Sequence, residues 1–111
     1  MILIALMLLS QQPPPPIMEG VASYYTIASS SRVTASGERM LDSALTCAMQ
    51  DGEFGRYYTV VANNGRSVVV RCNDRGPYVE GRVIDLSKAA MRELCHHSGL
   101  LNVKVYERRT R

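Results

Sequence analysis

An aspartate stands where a run of apolar residues gives way to a turn. Residues 67–72 read Ser-Val-Val-Val-Arg-Cys and predict a buried strand, and Asn73, Asp74, Arg75, Gly76 and Pro77 follow directly. Because a strand end is rigid and a turn is accessible, Asp74 is placed where a reacting carboxyl group is needed. The alternative is structural, with the side chain of Asp74 capping the turn, as Asp frequently does.

Several short elements are predicted around this aspartate. Asn63-Asn64-Gly65 indicates a hairpin before residues 67–72, since Asn and Gly tolerate positive φ. Ser87 is a good N-cap for a short helix over 88–95. About six short strands are predicted, among them 21–25, 44–49, 56–62, 67–72 and 102–106. A small closed barrel suits such a set because closure removes edge strands. Composition alone does not distinguish a barrel from a β-sandwich.

Size and charge restrict the classes of partner. The chain has 111 residues, 46% of them hydrophobic, which is enough for one domain with one core. A formal charge of +3 suits an anionic polymer such as a cell-wall glycan or a nucleic acid. The basic residues are scattered and form no repeat with aromatic residues, so a nucleic-acid-binding barrel is disfavoured. No cofactor is expected.

The N-terminus differs from the rest of the chain. Residues 1–9 are all apolar and residues 13–16 are four prolines. Nine residues are too few for a membrane-spanning helix, so we interpret 1–19 as a secretory-signal-like segment with a stiff spacer. A hydrophobic arm packed on the domain is the alternative. We expect a folded domain at 20–107, a basic tail at 108–111, an exported protein and no stable membrane insertion once a signal is removed.

The three cysteines are Cys47, Cys72 and Cys95, and their spacing matches no zinc pattern, so no metal site is expected. In an exported chain one disulfide would form and one thiol would be left over. Cys47 and Cys72 both lie in predicted strands and are the expected pair. Cys95 lies on the predicted helix and is expected to be a buried small hydrophobe.

Five motifs, in order and with matching spacing, resemble the rare lipoprotein A family. The first is Gly20-Val-Ala-Ser-Tyr-Tyr25, and the second is Thr34-Ala-Ser-Gly-Glu38. The similarity runs from Gly20 to about Tyr106. The remaining motifs are Leu45-Thr-Cys-Ala-Met49, the hairpin and turn over 64–77, and Gly81-Arg-Val-Ile-Asp-Leu-Ser-Lys-Ala-Ala90.

The resemblance implies a mainly β fold, a six-stranded double-psi β-barrel with one or two short helices, as in expansins. It implies a protein of the periplasm or cell exterior that acts on peptidoglycan as a lytic transglycosylase. Such enzymes cut the β-1,4 bond after N-acetylmuramic acid without water and leave a 1,6-anhydro end. One carboxyl group can protonate the leaving oxygen and then accept the proton of the C6 hydroxyl.

The resemblance also assigns residues to the site. Asp74 is the expected catalytic acid and base, and Glu38, on a loop, is a second catalytic carboxylate or a plain solvated one. Substrate contacts are expected from the turn and from tyrosines that could stack on a sugar ring: Arg75, Asn73, Tyr24 and Tyr78. Tyr24 and Tyr25 occupy alternating positions of a predicted strand, so one of this pair is expected to lie in the core. Arg71 is left either to a sugar contact or to a structural ion pair with Asp85.

Met49 departs from the family pattern, which commonly has His there. Methionine cannot shuttle a proton or donate a strong hydrogen bond. If the His is essential, the chain is weakened or inactive as an enzyme. The alternative function is therefore a non-catalytic, expansin-like module that binds cell-wall glycan.

Overall fold

Six strands close into a barrel in the computed structural model, which describes residues 13–29, 32–97 and 99–108. The apolar segment 1–9 and residues 109–111 of the predicted tail lie outside this range. The elements are β1 (Met18–Tyr24), β2 (Thr46–Ala48), β3 (Tyr57–Ala62), β4 (Ser67–Asp74), β5 (Arg82–Leu86), α1 (Lys88–Leu94) and β6 (Leu101–Glu107), with a 3₁₀ turn at Ile27–Ser29. The predicted fold class, a mainly β barrel of six strands with a short helix, is confirmed.

Neighbours around the barrel follow the order β1-β5-β2-β4-β3-β6, and β6 closes on β1. Two of the pairings, β1 with β5 and β2 with β4, are parallel. The strands paired in parallel are far apart in sequence, so neither pair is joined by a direct connection. The loop of residues 32–45 and the turn after β4 lie at the same end of the barrel, since the N–H of Ala35 donates to Asp74 Oδ1.

Alternation along the strands builds the core. Val68, Val70 and Cys72 of β4 are buried, while the side chains between them are half-buried on the outer face. Helix α1 covers one side of the barrel with Ala90, Met91 and Leu94. Among the described residues, no helix is long and apolar enough to span a membrane.

Local signals in the sequence set the ends of these elements. Gly65 has a φ of +91° in the β3–β4 hairpin, which confirms the prediction from Asn63-Asn64-Gly65. Ser87 Oγ accepts a hydrogen bond of 3.2 Å from the backbone N–H of Ala90, as an N-cap should. The helix ends at Leu94, so Cys95 is its C-cap and is only half-buried, whereas a fully buried position was predicted.

Candidate active site

Asp74 is the last residue of β4 and its carboxylate is fixed by the backbone. Its Oδ1 accepts hydrogen bonds of 2.9 Å from the N–H groups of Ala35 and Arg75. The hydrogen bond from the N–H of Arg75 is the turn cap that the sequence analysis gave as the structural alternative for Asp74. The bond from Ala35 ties the 34–38 loop to the end of β4. Within the described residues, Oδ2 has no hydrogen-bond partner, so one oxygen of a half-buried carboxyl group is left for a ligand.

Glu38 is brought to the same end of the barrel by that loop. Its two carboxylate oxygens accept hydrogen bonds of 2.9 Å from the two terminal nitrogens of Arg71, a bidentate pair. Oε1 also accepts a bond of 3.0 Å from Asn73 Nδ2. These hydrogen bonds, first that from Arg71 and then that from Asn73, lower the pKa of Glu38. Glu38 is therefore a permanent negative charge at neutral pH rather than a proton carrier.

Asn73 lies behind Glu38 and is almost wholly buried, with 3% of its surface exposed. Its amide orientation follows from the bond to Glu38, because a flipped amide would set one oxygen against another. The carbonyl Oδ1 has no partner, a state that costs roughly 1–3 kcal/mol. In the structure the side chain of Asn73 contacts Glu38. The predicted contact with a sugar would require the 34–38 loop to open.

Arg71 does not pair with Asp85, so that alternative was wrong; Arg71 is taken by Glu38. Asp85 Oδ1 instead accepts a hydrogen bond of 3.1 Å from Ser23 Oγ. Burial is the main cause that raises the pKa of Asp85, and the negative charge of Asp74 adds to it. Asp85 was not predicted to belong to the site. The sequence did contain a sign of it, because an Asp between Ile84 and Leu86 in an apolar strand is unusual enough to suggest a functional carboxylate.

Asp74 and Asp85 are brought together by β2. Ala48 pairs with Asp74 on one side and with Asp85 on the other. Two strand spacings separate the two backbones, about 10 Å, and the side chains span part of that distance. The described residues contain no group of three or more His, Cys, Asp or Glu side chains that could hold a metal ion.

Met49 follows β2 directly and its side chain lies in the core, with 3% of its surface exposed. A Cβ placed on Gly52 would stand 3.0 Å from Met49 Sδ and 2.7 Å from Cys72 Sγ, so these three residues pack closely. The backbone N–H of Met49 donates to the carbonyl of Asp74 over 3.2 Å. Position 49 thus supports Asp74 through its main chain, and its side chain offers no polar group to the site.

Arg75 is largely engaged by the protein itself. Its Nη1 donates to the carbonyls of Gly52, at 2.6 Å, and Met49, at 3.3 Å. Its guanidinium also lies 4.0 Å from the centre of the Phe54 ring. The contacts that the structure gives Arg75 hold the loop between β2 and β3 against the turn, while the predicted sugar contact remains a prediction.

Both tyrosines that were expected to contact sugar are exposed. Tyr78, just beyond the turn, is 76% exposed, and Tyr24 at the end of β1 is 43% exposed. Tyr25 is the core member of its pair, with its hydroxyl 2.8 Å from Thr46 Oγ1. Tyr57 was missed by sequence reasoning: it is 42% exposed and pairs across the sheet with Arg71, beside the Glu38 carboxylate. Its place at the start of an alternating strand was the available signal.

The predicted disulfide is not formed in the structure, which has Cys47, Cys72 and Cys95 as free thiols. Cys47 and Cys72 do stand directly opposite each other in β2 and β4. A hydrogen bond between the two thiols lowers the pKa of Cys72 to about 6 and, together with burial, raises the pKa of Cys47. The pairing itself stays a prediction.

Comparison with protein families gives a consistent match. The model of a family described as "Lytic transglycolase" matches residues 17–105. A protein of Synechocystis sp. named "Probable endolytic peptidoglycan transglycosylase RlpA" is 50% identical over 86 residues, covering 76% of this chain and 27% of its own. The "Endolytic peptidoglycan transglycosylase RlpA" of Pseudomonas aeruginosa is 41% identical over 90 residues, covering 79% and 26%. The chain thus spans about a quarter of the length of these relatives.

Solved structures share the barrel. The Streptomyces papain inhibitor superposes with a TM-score of 0.64 at 25% identity, over 81% of this chain and 91% of that one. The apo expansin of Clavibacter michiganensis gives a TM-score of 0.64 at 21% identity, over 84% and 50%. These likenesses extend over the double-psi β-barrel and establish the fold.

Proposed function

Because this chain belongs to the lytic transglycolase family, we propose that it cleaves peptidoglycan at the β-1,4 bond after N-acetylmuramic acid and leaves a 1,6-anhydro end. The observation that carries the proposal is the Asp74 carboxyl group. One of its oxygens is held by two backbone N–H groups, and the other faces no partner among the described residues. Glu38, which is paired with Arg71 and Asn73, lies at the same end of the barrel.

The reaction needs a proton to move twice. Asp74 Oδ2 donates a proton to the glycosidic oxygen as its bond to C1 of the muramic acid breaks. The C6 hydroxyl of the same sugar then attacks C1, and its proton passes to Asp74, which regenerates the acid. No water is consumed, so a second carboxylate to activate water is not needed, unlike in a hydrolase.

The neighbouring carboxylates set the charge of the site. Glu38 is held ionised by Arg71 and Asn73, so its negative charge favours the positive, oxocarbenium-like centre that forms at C1. Asp85 is half-buried and its pKa is raised by burial and by Asp74. The negative charge of Asp74 thus adds to the cost of ionising Asp85.

The remaining assignments concern sugar binding and location. Tyr78 and Tyr24 offer exposed rings on which a pyranose can stack, and Tyr57 offers a third next to Arg71. Arg75 and Asn73 would contact sugar only by exchanging the partners that they have now. The protein would act outside the cytoplasm, in the periplasm or at the cell surface, on glycan strands.

The test is incubation of the protein with purified peptidoglycan, followed by mass spectrometry of the soluble products. Anhydro-muropeptides should form and should disappear with Asp74→Asn, which keeps the acceptor that caps the turn but cannot carry the proton. Asp51→Asn is the matched control, since Asp51 is exposed on the loop after β2, and it should behave as the unsubstituted protein. Equal product yield from Asp74→Asn and the control would refute the assignment.

A second candidate is a non-catalytic, expansin-like module that binds cell-wall glycan. Met49 favours it, since the side chain at this position is buried and carries no proton-transferring group. This reading predicts binding to peptidoglycan with no soluble anhydro product, under conditions in which a known transglycosylase yields product.

A further inference from the structure

A basic cleft lies between the helix and the end of β1, on the side of the barrel that α1 covers. We define the basic cleft by Tyr24, Lys88, Arg92, His96 and His97, which line a cavity of about 230 Å³. Met91, Cys95 and Gly99 complete its wall. None of these residues takes part in the carboxylate site at the end of β4.

The basic side chains of the cleft are aligned. Lys88, Arg92 and His96 follow one another at intervals of four residues, so Lys88 and Arg92 share one face of α1 and His96 continues the row beyond its end. Like charges at this spacing destabilise a helix by a few tenths of a kcal/mol. Of the ion pairs among the described residues, none includes Lys88 or Arg92. The repulsion is therefore uncompensated within the described protein.

The helix dipole does not account for the whole row. Positive charge is favourable at a helix C-terminus, which explains Arg92 in the last turn and His96 just beyond it. Lys88 is the first residue of α1, where positive charge is unfavourable, and the first turn has no acidic residue to offset it. Helix stability gives no reason for a cation there, whereas an anionic ligand would.

We propose that the basic cleft binds carboxylate groups of the glycan strand, the lactyl carboxylates that its muramic acid residues carry wherever no stem peptide is attached. Tyr24 provides an exposed ring on which the same sugar can stack, next to the cations that would pair with its carboxylate. The inference rests on the proposed function, since it takes its ligand from that substrate, and it adds a subsite outside the reaction centre.

The basic cleft lies away from the reaction centre. β1, which ends in Tyr24, and β4, which ends in Asp74, are three strands apart in a closed barrel of six and so stand on opposite sides of it. The last residue of α1, Leu94, accepts a hydrogen bond of 2.9 Å from Asn64 in the β3–β4 hairpin, at the other end of β4 from Asp74. The basic cleft would therefore bind sugars that are remote from the scissile bond.

The test compares two forms of one ligand. Peptide-free glycan strands with free lactyl carboxylates are set against the same strands after their carboxylates have been converted to methyl amides. Calorimetry at low salt measures binding to the full chain and to the double variant Lys88→Gln/Arg92→Gln. Gln has a helix propensity close to those of Lys and Arg, so α1 should be retained, which thermal melting checks. Arg66→Gln/Lys104→Gln removes two exposed charges elsewhere and is the matched control.

We expect the unsubstituted protein to bind the carboxylate form more tightly than the amide form, with a difference that shrinks as salt rises. The Lys88→Gln/Arg92→Gln variant should bind the carboxylate form about fivefold to tenfold more weakly and the amide form as before. Equal binding of both forms by the unsubstituted protein, or an equal loss in the control, would overturn the proposal. Product formation is recorded separately: absent cleavage with intact carboxylate-dependent binding refutes the proposed reaction and leaves the basic cleft standing.

Discussion

Oxidation of the Cys47–Cys72 pair should raise the thermal stability of the barrel. The two residues are directly opposite in parallel strands, where backbones lie about 4.8 Å apart. This separation falls in the Cα–Cα range of disulfides, about 4.4–6.8 Å. Both sulfurs are fully buried, so the bond would form while the chain folds, before the barrel closes over them.

The size of the effect follows from the loop that the bond would close. Cys47 and Cys72 are 25 residues apart (72 minus 47), and closing a loop of that length in the unfolded chain corresponds to about 3.5 kcal/mol. For a domain of under 100 residues, each kcal/mol shifts the melting temperature by about 4–8 °C. A rise of about 14–28 °C is therefore the upper expectation, and strain in the folded state would reduce it.

The assay refolds the reduced, denatured chain with oxidised glutathione as the electron acceptor, because both sulfurs are buried in the folded barrel. Two thiols lose two protons and two electrons to the reagent, which leaves as two molecules of reduced glutathione. Free-thiol counting under denaturing conditions should fall from three to one. Melting temperatures are then compared with and without reductant.

Single variants identify the bond. Cys95→Ala removes the third thiol and should keep the full difference between oxidised and reduced protein, whereas Cys47→Ala should abolish it. Three thiols after prolonged exposure to the oxidant would refute the pairing. A melting temperature that is unchanged although two thiols have been lost would refute the expected stabilisation.

The other predictions concern the carboxylate site and its aromatic neighbour. Asp85→Asn should raise the melting temperature at pH 8 but not near pH 3. The raised pKa of Asp85 means that its ionised form is unfavourable in the folded state, and Asn keeps the acceptor for Ser23. A lower melting temperature at pH 8 would contradict this. Glu38→Gln should lower the melting temperature at pH 7, and this loss should vanish as the pH falls well below 4.5. The pKa of Glu38 is lowered, so its carboxylate stabilises the folded state only while it is ionised and paired with Arg71. An equal loss at pH 3 would point to packing instead. Tyr57→Ala should weaken glycan binding about threefold to tenfold while the melting temperature changes little, since the ring is exposed; calorimetry with peptide-free strands measures it, and unchanged affinity would remove Tyr57 from the site.

Local patterns were enough to predict most of the fold. Alternating apolar residues in β3 and β4, the Asn-Asn-Gly hairpin and the Ser87 cap each act over a few residues, so the sequence shows them directly. The family resemblance supplied the barrel closure, which composition had left open. The end of α1 was misplaced by one residue, because capping depends on contacts beyond the helix.

Partners distant in sequence were the part that sequence reasoning missed. Asp74 and Glu38 were both named, but the pairing of Arg71 with Glu38 spans 33 residues and was assigned to Asp85 instead. Met49 was noted as a departure, but the burial of its side chain depends on Gly52 and Cys72. Tyr57 and the row of cations on α1 carry no motif, and only their exposure and neighbours draw notice.

The sequence by itself therefore determined the residue types, the order of the strands along the chain and the place of Asp74 at the end of an apolar strand. Tertiary structure decided which groups form ion pairs or hydrogen bonds with one another. The physical reason is range: propensity and periodicity act between near neighbours, whereas the two parallel pairings join segments far apart in the chain. The parallel pairing of β1 with β5 brings Ser23 to Asp85, and the pairings of β2 with its two neighbours bring Asp85 near Asp74. These long-range pairings create the electrostatics of the site.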